Sequence, residues 1–196
     1  MDDLVAFMRQ PLPIPPLIAA AISHYQFETI HPFEDGNGRM GRLMIPVLLL
    51  GHGVIGSPLL YLSDFFDNNR VDYFGRLKDV STNGDWCAWL EFFLEAVRAT
   101  ALDGVERVKR ITGLHSKYRR LVLDNSRSQT SLAAVDIVME KVFVTAAEVA
   151  EFAHCSNPTA RTALANLTEL NIVAPVSGGY PAQWLAAELL DQAYEQ

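Results

Sequence analysis

The chain has 196 residues, 49% hydrophobic and 20% charged, a balance that supports a folded core and excludes disorder as its main state. Sixteen basic and 23 acidic residues leave a net charge of −7, so bulk attraction to nucleic acid is not expected, and only a local basic site stays open. The longest apolar run, Leu43 to Leu50, is too short for a bilayer, no secretory leader opens the chain, and Cys87 and Cys155 lack metal spacing; a cytoplasmic protein without membrane association is expected.

In chain order, the proline-rich stretch Pro11 to Pro16 cannot be helical throughout, because each proline removes a donor and biases its predecessor to extended geometry. Leu17 to Ile30 reads as a helix, with Ile18, Ala21, Ile22, Tyr25 and Thr29 near one face. A glycine turn, Gly36 to Gly38, leads into a second apolar helix from Arg39 to about Leu50. Ser63 and Asp64 open a further helical segment anchored by Phe65, Phe66, Tyr73, Phe74 and Leu77, closed by a turn at Asn83 to Asp85. Trp86 begins a long helix in which Trp89, Leu90, Phe93, Leu94 and Val97 repeat, and its charged continuation to about Leu123 reads as a connector. The aromatic set Trp86, Trp89, Phe92 and Phe93 is assigned to the core.

The pattern then changes. Leu132 to Val142 reads as a helix, Thr145 to Glu148 as a capping box opening another, and Ser156 to about Leu170 as a third, with Asn171 as its left-handed end residue. Ile172 to Val176 and Gln183 to Leu185 follow as a short hairpin. This order is that of a winged helix. The expected fold is mostly α: a helical core with connector over residues 1–125, then a small α+β winged-helix domain over 126–196.

One stretch concentrates chemistry, the twelve residues His31 to Arg42 (HPFEDGNGRMGR). Glycines flanking Asn37 at a helix start let successive backbone N–H groups face one concavity, an anion site suited to phosphate. Arg39 and Arg42, three apart, share a helical face, and their forks match phosphate oxygens. Asp35 is a hard oxygen ligand suited to Mg²⁺ bridging phosphates, and a histidine, as at position 31, is the side-chain type best suited to serve as a general base. Together they describe a phosphoryl or nucleotidyl transfer site. His24, Glu28 and His31 at i, i+4 and i+7 could be mistaken for zinc ligands, but a base must keep its lone pair free.

The stretch matches at every position the Fic family signature, His-x-Phe-x-(Asp/Glu)-Gly-Asn-Gly-Arg-x-x-Arg. The flanks Ala20 to Ile30, Pro58 to Ser63, Asn69 and Arg70 with Tyr73 and Phe74, and Gly84 to Trp86 also resemble that family, so the likeness extends over about Met1 to Val97. The resemblance implies an adenylyl transferase that moves AMP from ATP, with Mg²⁺, to a Tyr, Ser or Thr hydroxyl of a target protein. It assigns His31 as the base and Asp35 as the metal ligand. Gly36, Asn37 and Gly38 become the anion hole, Arg39 the β/γ-phosphate contact, and Arg42 the contact of the γ-phosphate, or of an inhibitory glutamate when one is engaged. Phe33 becomes the loop anchor in the core. Tyr73 and Phe74 align with aromatics near the adenine, a role weighed evenly against plain helix packing.

The chain departs from the family in two respects. The family carries further helices and a β-hairpin flap before the signature, whereas 30 residues precede His31 here, so target docking is in question more than phosphate chemistry. No glutamate has Ser or Thr four residues earlier, so no inhibitory Ser/Thr-x-x-x-Glu helix is expected within the chain, and Arg42 is expected to lack a glutamate partner. From Ser131 onward two basic residues face eight acidic ones, a net of −6, which favours protein interaction or a homodimer over DNA. Two alternatives stand beside AMP transfer: removal of AMP or transfer of another phosphate-containing group, and a non-catalytic regulator that senses nucleotide and binds DNA.

Overall fold

The computed structural model describes residues 1–9, 14–126, 128–178 and 180–194. Pro11 and Pro13 of the proline stretch, and Gly179 of the hairpin, lie outside the described residues. The chain is mostly helical with a small three-stranded antiparallel sheet near its C-terminus, and forms two compact units, Met1–Gly104 and Val105–Gln196. Among the described residues no helix is long and apolar enough to cross a membrane.

The first unit holds α1 (Asp2–Arg9), α2 (Pro16–Ile30), α3 (Asn37–Gly51), α4 (Ser63–Asn68), α5 (Arg70–Asn83) and the beginning of α6 (Trp86–Asn125). Pro16 starts α2, where its missing N–H costs nothing. Ala19, Ala20 and Ala21 are buried and small, and Gly41 of α3 is smaller still: a Cβ there would overlap the Glu28 carboxylate of α2. These residues set how closely the two helices pack. The single segment expected after Ser63 is two helices, divided at Asn69, whose Nδ2 donates to Phe65 O at 2.8 Å. Gly84 ends α5 at φ +69°, in the left-handed region that glycine enters without strain. Trp89, Phe93 and Ala96 of α6 fall at i, i+4 and i+7 and are fully buried with Ile45, Leu49, Leu62 and Phe66. The Trp89 indole donates to Ala21 O at 3.1 Å, so the largest side chain of this core has its polar edge satisfied.

The second unit contains the rest of α6, then α7 (Gln129–Lys141), β1 (Phe143–Thr145), α8 (Ala146–Phe152), α9 (Asn157–Glu169), β2 (Ala174–Val176), β3 (Gln183–Leu185) and α10 (Ala187–Tyr194). Leu114, Tyr118 and Val122, four apart along α6, are buried in this unit's core with Val135, Val138, Val149, Leu164 and Leu167. The stretch read as a connector therefore contributes a full apolar stripe. Ser128 and Ser156 cap α7 and α9 through their hydroxyls, and Thr145 with Glu148 forms a reciprocal capping box on α8. Asn171 follows α9 at φ +54°. The sheet order is β1-β3-β2, with Val144 and Pro175 both opposite Trp184. Strand β1 adds a third member to the expected hairpin.

Candidate active site

The signature residues occupy the loop from the end of α2 to the first turn of α3. His31 is the C-terminal cap of α2, at φ +48° and ψ +59°, with its N–H donating to Phe27 O at 3.0 Å. Histidine tolerates this left-handed geometry better than most side chains. The turn ends the helix and leaves the His31 side chain exposed at the start of the loop.

Asn37 closes that loop with its side chain. It is 2% exposed, accepts from Phe33 N–H at 2.9 Å and donates to Phe33 O at 2.6 Å, so one amide satisfies both backbone groups of Phe33. Gly36 precedes it at φ +83°, in a conformation that any Cβ would strain. The first bond into α3 runs from Met40 N–H to Gly36 O at 3.0 Å, and no side chain caps this helix. The N–H groups of Asn37, Gly38 and Arg39 thus stand at an uncapped helix start, where the backbone dipoles favour an anion.

Both arginines lean toward that start. A Cβ placed on Gly36 would lie 3.4 Å from an Arg39 guanidinium nitrogen, and one on Gly38 would lie 3.3 Å from Nη1 of Arg42. The glycines leave room for the two forks to lie close to the backbone. Their surroundings differ, however. Arg39 is exposed and donates to Asp35 Oδ2 at 3.1 Å, an ion pair whose side chains are 75% and 92% open to water and which therefore exchanges partners readily. Arg42 is partly buried, its Nε is sealed from solvent without a partner, and no carboxylate pairs with it among the described residues.

Behind the loop lies a buried polar seam of which His24 and Glu28 are sequence-visible members and Tyr73 is an unexpected one. His24 is fully buried, its Nε2 is 2.9 Å from the Tyr73 hydroxyl, and burial pushes its pKa down to about 4, so the ring is neutral. Burial also pushes the Glu28 carboxyl above the ordinary carboxylate range, against the pull of Arg42 and then of His31. Tyr73 is pushed up, first by burial and then by the Glu28 charge. His24, Glu28 and His31 do not share one environment: the first is enclosed, the second half-buried and the third exposed. Among the described residues no group of three or more His, Cys, Asp or Glu could hold a metal ion.

Two expectations change here. Tyr73 is 3% exposed and its ring stacks on Phe66 at 4.7 Å, so it has no free face for an adenine; the packing alternative describes it. Phe74 is 54% exposed, with the Arg70 guanidinium 5.5 Å from its ring centre, and keeps an accessible face. Phe33 is 48% exposed and touches Phe27 at 6.2 Å between ring centres, because Asn37 rather than a buried ring fastens the loop. That role of Asn37 was not foreseen, since a side chain bonding its own i−4 backbone leaves no mark in composition or period.

The Fic/DOC family model matches residues 1–49, which include the whole signature. Protein adenylyltransferase fic-1 of Caenorhabditis elegans is 45% identical over 82 residues, 40% of this chain and 16% of that protein. Protein adenylyltransferase Fic of Nematostella vectensis is 29% identical over 120 residues, 56% of this chain and 26% of that one. A probable protein adenylyltransferase of Aquifex aeolicus is 38% identical over 76 residues, 39% of this chain and 21% of that one. The chain thus matches about a quarter or less of each of these relatives. The crystal structure of a Fic family protein from Desulfovibrio desulfuricans G20 shares the fold, with a TM-score of 0.51 at 23% identity, over 94% of this chain and 53% of that one. Residues 1–49, the segment that carries the signature, match the Fic/DOC family, and over part of its length the chain is related to protein adenylyltransferases named Fic.

Proposed function

We propose that the chain is a protein adenylyltransferase moving AMP from ATP to a Tyr, Ser or Thr hydroxyl of a target protein. The observation that carries this reading is the uncapped start of α3, with glycines at 36 and 38 and an arginine fork lying over each. Three backbone N–H groups and two guanidiniums there suit a polyphosphate. In the reaction, His31 takes the proton from the target hydroxyl, the oxygen bonds to the α-phosphorus, and the bond to pyrophosphate breaks. The exposed His31 side chain leaves a target room to approach. Arg39 and Arg42 hold the phosphates that leave, and Phe74 offers its accessible ring near the adenine.

Magnesium takes one or two carboxylates and draws its other ligands from phosphate oxygens and water. Asp35, a single exposed carboxylate beside the cradle, fits that donor set, and its pair with Arg39 is weak enough to open. The ion would neutralise charge developing on the phosphates. The fold reading extends this proposal: residues 1–125 as the Fic-type core and connector, and 126–196 as a winged-helix domain, supported by the order α7, α8, α9 and the β2–β3 pair. Intact-mass spectrometry after incubation with ATP and Mg²⁺ tests the activity. A mass gain of one AMP in the wild type and none in His31→Ala is expected. Equal gain in both would remove His31 from its role, and ATP binding without any gain, on this chain or on added protein, would overturn the transfer reading.

A further inference from the structure

Glu28 stands out among the groups that the proposed chemistry leaves unused. It lies on α2, one turn before His31, with its carboxylate packed against the Cα of Gly41. Its Oε1 is sealed from solvent and has no hydrogen-bond partner. The residue after Gly41 is Arg42, whose Nε–H is likewise sealed and unpartnered. An acceptor packed against Gly41 and a donor of opposite charge on the next residue are thus each sealed without a partner, and no ion pair joins them within 4.0 Å.

A half-buried carboxylate without a partner is costly to keep. The charged and titratable groups around it are Arg42 on α3, His31 and His24 on its own helix, and Tyr73 on α5, which also feels Asp67. His24 is neutral and already engaged with Tyr73. Arg42 is thus the group that benefits most from the negative charge. Without Glu28 its guanidinium would be a part-buried cation with no counter-charge, free to swing toward water.

We propose that Glu28 is a positioning residue: across Gly41, its carboxylate holds the Arg42 guanidinium over the head of α3, where the fork meets the terminal phosphate of a nucleoside triphosphate. This rests on the phosphate-cradle reading for its ligand, but the placement of Arg42 is a property of the protein alone. Gly41 is part of the device, because any side chain there would displace the carboxylate.

Glu28→Gln separates charge from shape, since glutamine fills the same space against Gly41. Three readouts apply. In ¹H–¹⁵N spectra of the free protein the Arg42 Nε–H resonance, assigned by its loss in Arg42→Lys, is expected to be protected in the wild type and to exchange at least about tenfold faster in Glu28→Gln. ATP affinity is expected to fall about tenfold while AMP affinity, which needs no terminal-phosphate contact, stays unchanged. The melting temperature at neutral pH is expected to rise, because a raised carboxyl pKa is stabilising only in acid and that stability is lost as pH rises through the folded-state pKa. The rise should vanish below the ordinary carboxylate range. An unchanged Arg42 resonance would overturn the proposal whether or not the protein binds ATP. Tighter ATP binding in Glu28→Gln would overturn it too, since Glu28 would then compete for Arg42 rather than place it. Wild type that binds ATP without transferring AMP would sink the transfer reading alone.

Discussion

The side chains that position the site are mostly buried polar ones, and His24 shows how such a residue couples stability to pH. Its folded pKa of about 4 lies below the ordinary 6.5, so the unfolded chain takes up a proton in that interval and the folded one does not. The stability His24 contributes is fully present above about pH 6.5 and falls as pH drops toward 4. A shift of that size corresponds to about 3 kcal/mol. Glu28 works in the opposite sense, adding stability as it protonates, so the wild-type profile alone mixes the two. His24→Gln removes the titration and keeps a polar partner for Tyr73. Urea unfolding at pH 7 and pH 4 should show the advantage of wild type over His24→Gln shrinking by about 3 kcal/mol. Parallel profiles would mean that this ring does not carry the acid sensitivity. The residues of the proposed site were legible in the sequence, because a histidine, a carboxylate, glycines and arginines within twelve positions narrow the chemistry they suit. Their supports were not. The contacts of Tyr73 with His24, and of Asn37 with the Phe33 backbone, depend on tertiary approach or loop closure, which no spacing rule records.

Helix ends follow the same division. The expected start and stop of α2 and the turn into α3 agree with the structure to within a residue or two, and Pro16, His31 and Gly36 stand there in restrictive backbone geometry. The capping box of α8 was equally visible: Thr145 Oγ1 accepts from Glu148 N–H at 3.3 Å, while Glu148 Oε2 accepts from Thr145 N–H at 2.8 Å. Strand β1 was hidden beside it, three residues being too few for alternation to register. Helices α1 and α10, of eight residues each, escaped for a similar reason. The box carries its own expectation. Thr145→Ala leaves one N–H of the first turn uncapped and should cost about 1 kcal/mol, read as a lower denaturant midpoint with an unchanged slope. Glu148 sits at a pKa of about 2, held there first by the Lys141 ammonium and then by Thr145. Its share is present above the ordinary carboxylate pKa and is lost as pH falls through about 2, so the cost of Thr145→Ala should shrink in strong acid.

At the level of the molecule, charge decides between the partners the fold would allow. Counted from Ser131, the C-terminal part is strongly acidic. The compact unit begins at Val105, however, and brings in the basic second half of α6, so that nine basic residues meet ten acidic ones, a net of −1. Near-neutrality alone would not exclude DNA. What argues against it is that at least four of the nine cations are held in ion pairs. Lys109 is 2.7 Å from Glu106, Lys117 is 2.7 Å from Glu188, Lys141 is 2.8 Å from Glu148, and Arg119 donates to both oxygens of Asp136. Helix α9, which a winged helix would lay in the major groove, carries Arg161 as its one cation. A DNA reader gains most of its affinity by releasing counterions with unpaired Lys and Arg, and loses it steeply with salt. Fluorescence anisotropy of a labelled duplex at about 50 mM salt should therefore stay flat up to roughly 10 μM protein. Saturable binding in that range, weakening as salt is raised to about 200 mM, would mean that the paired cations of α6 open toward phosphate. It would revive the nucleotide-sensing regulator that the pairing of these cations disfavours.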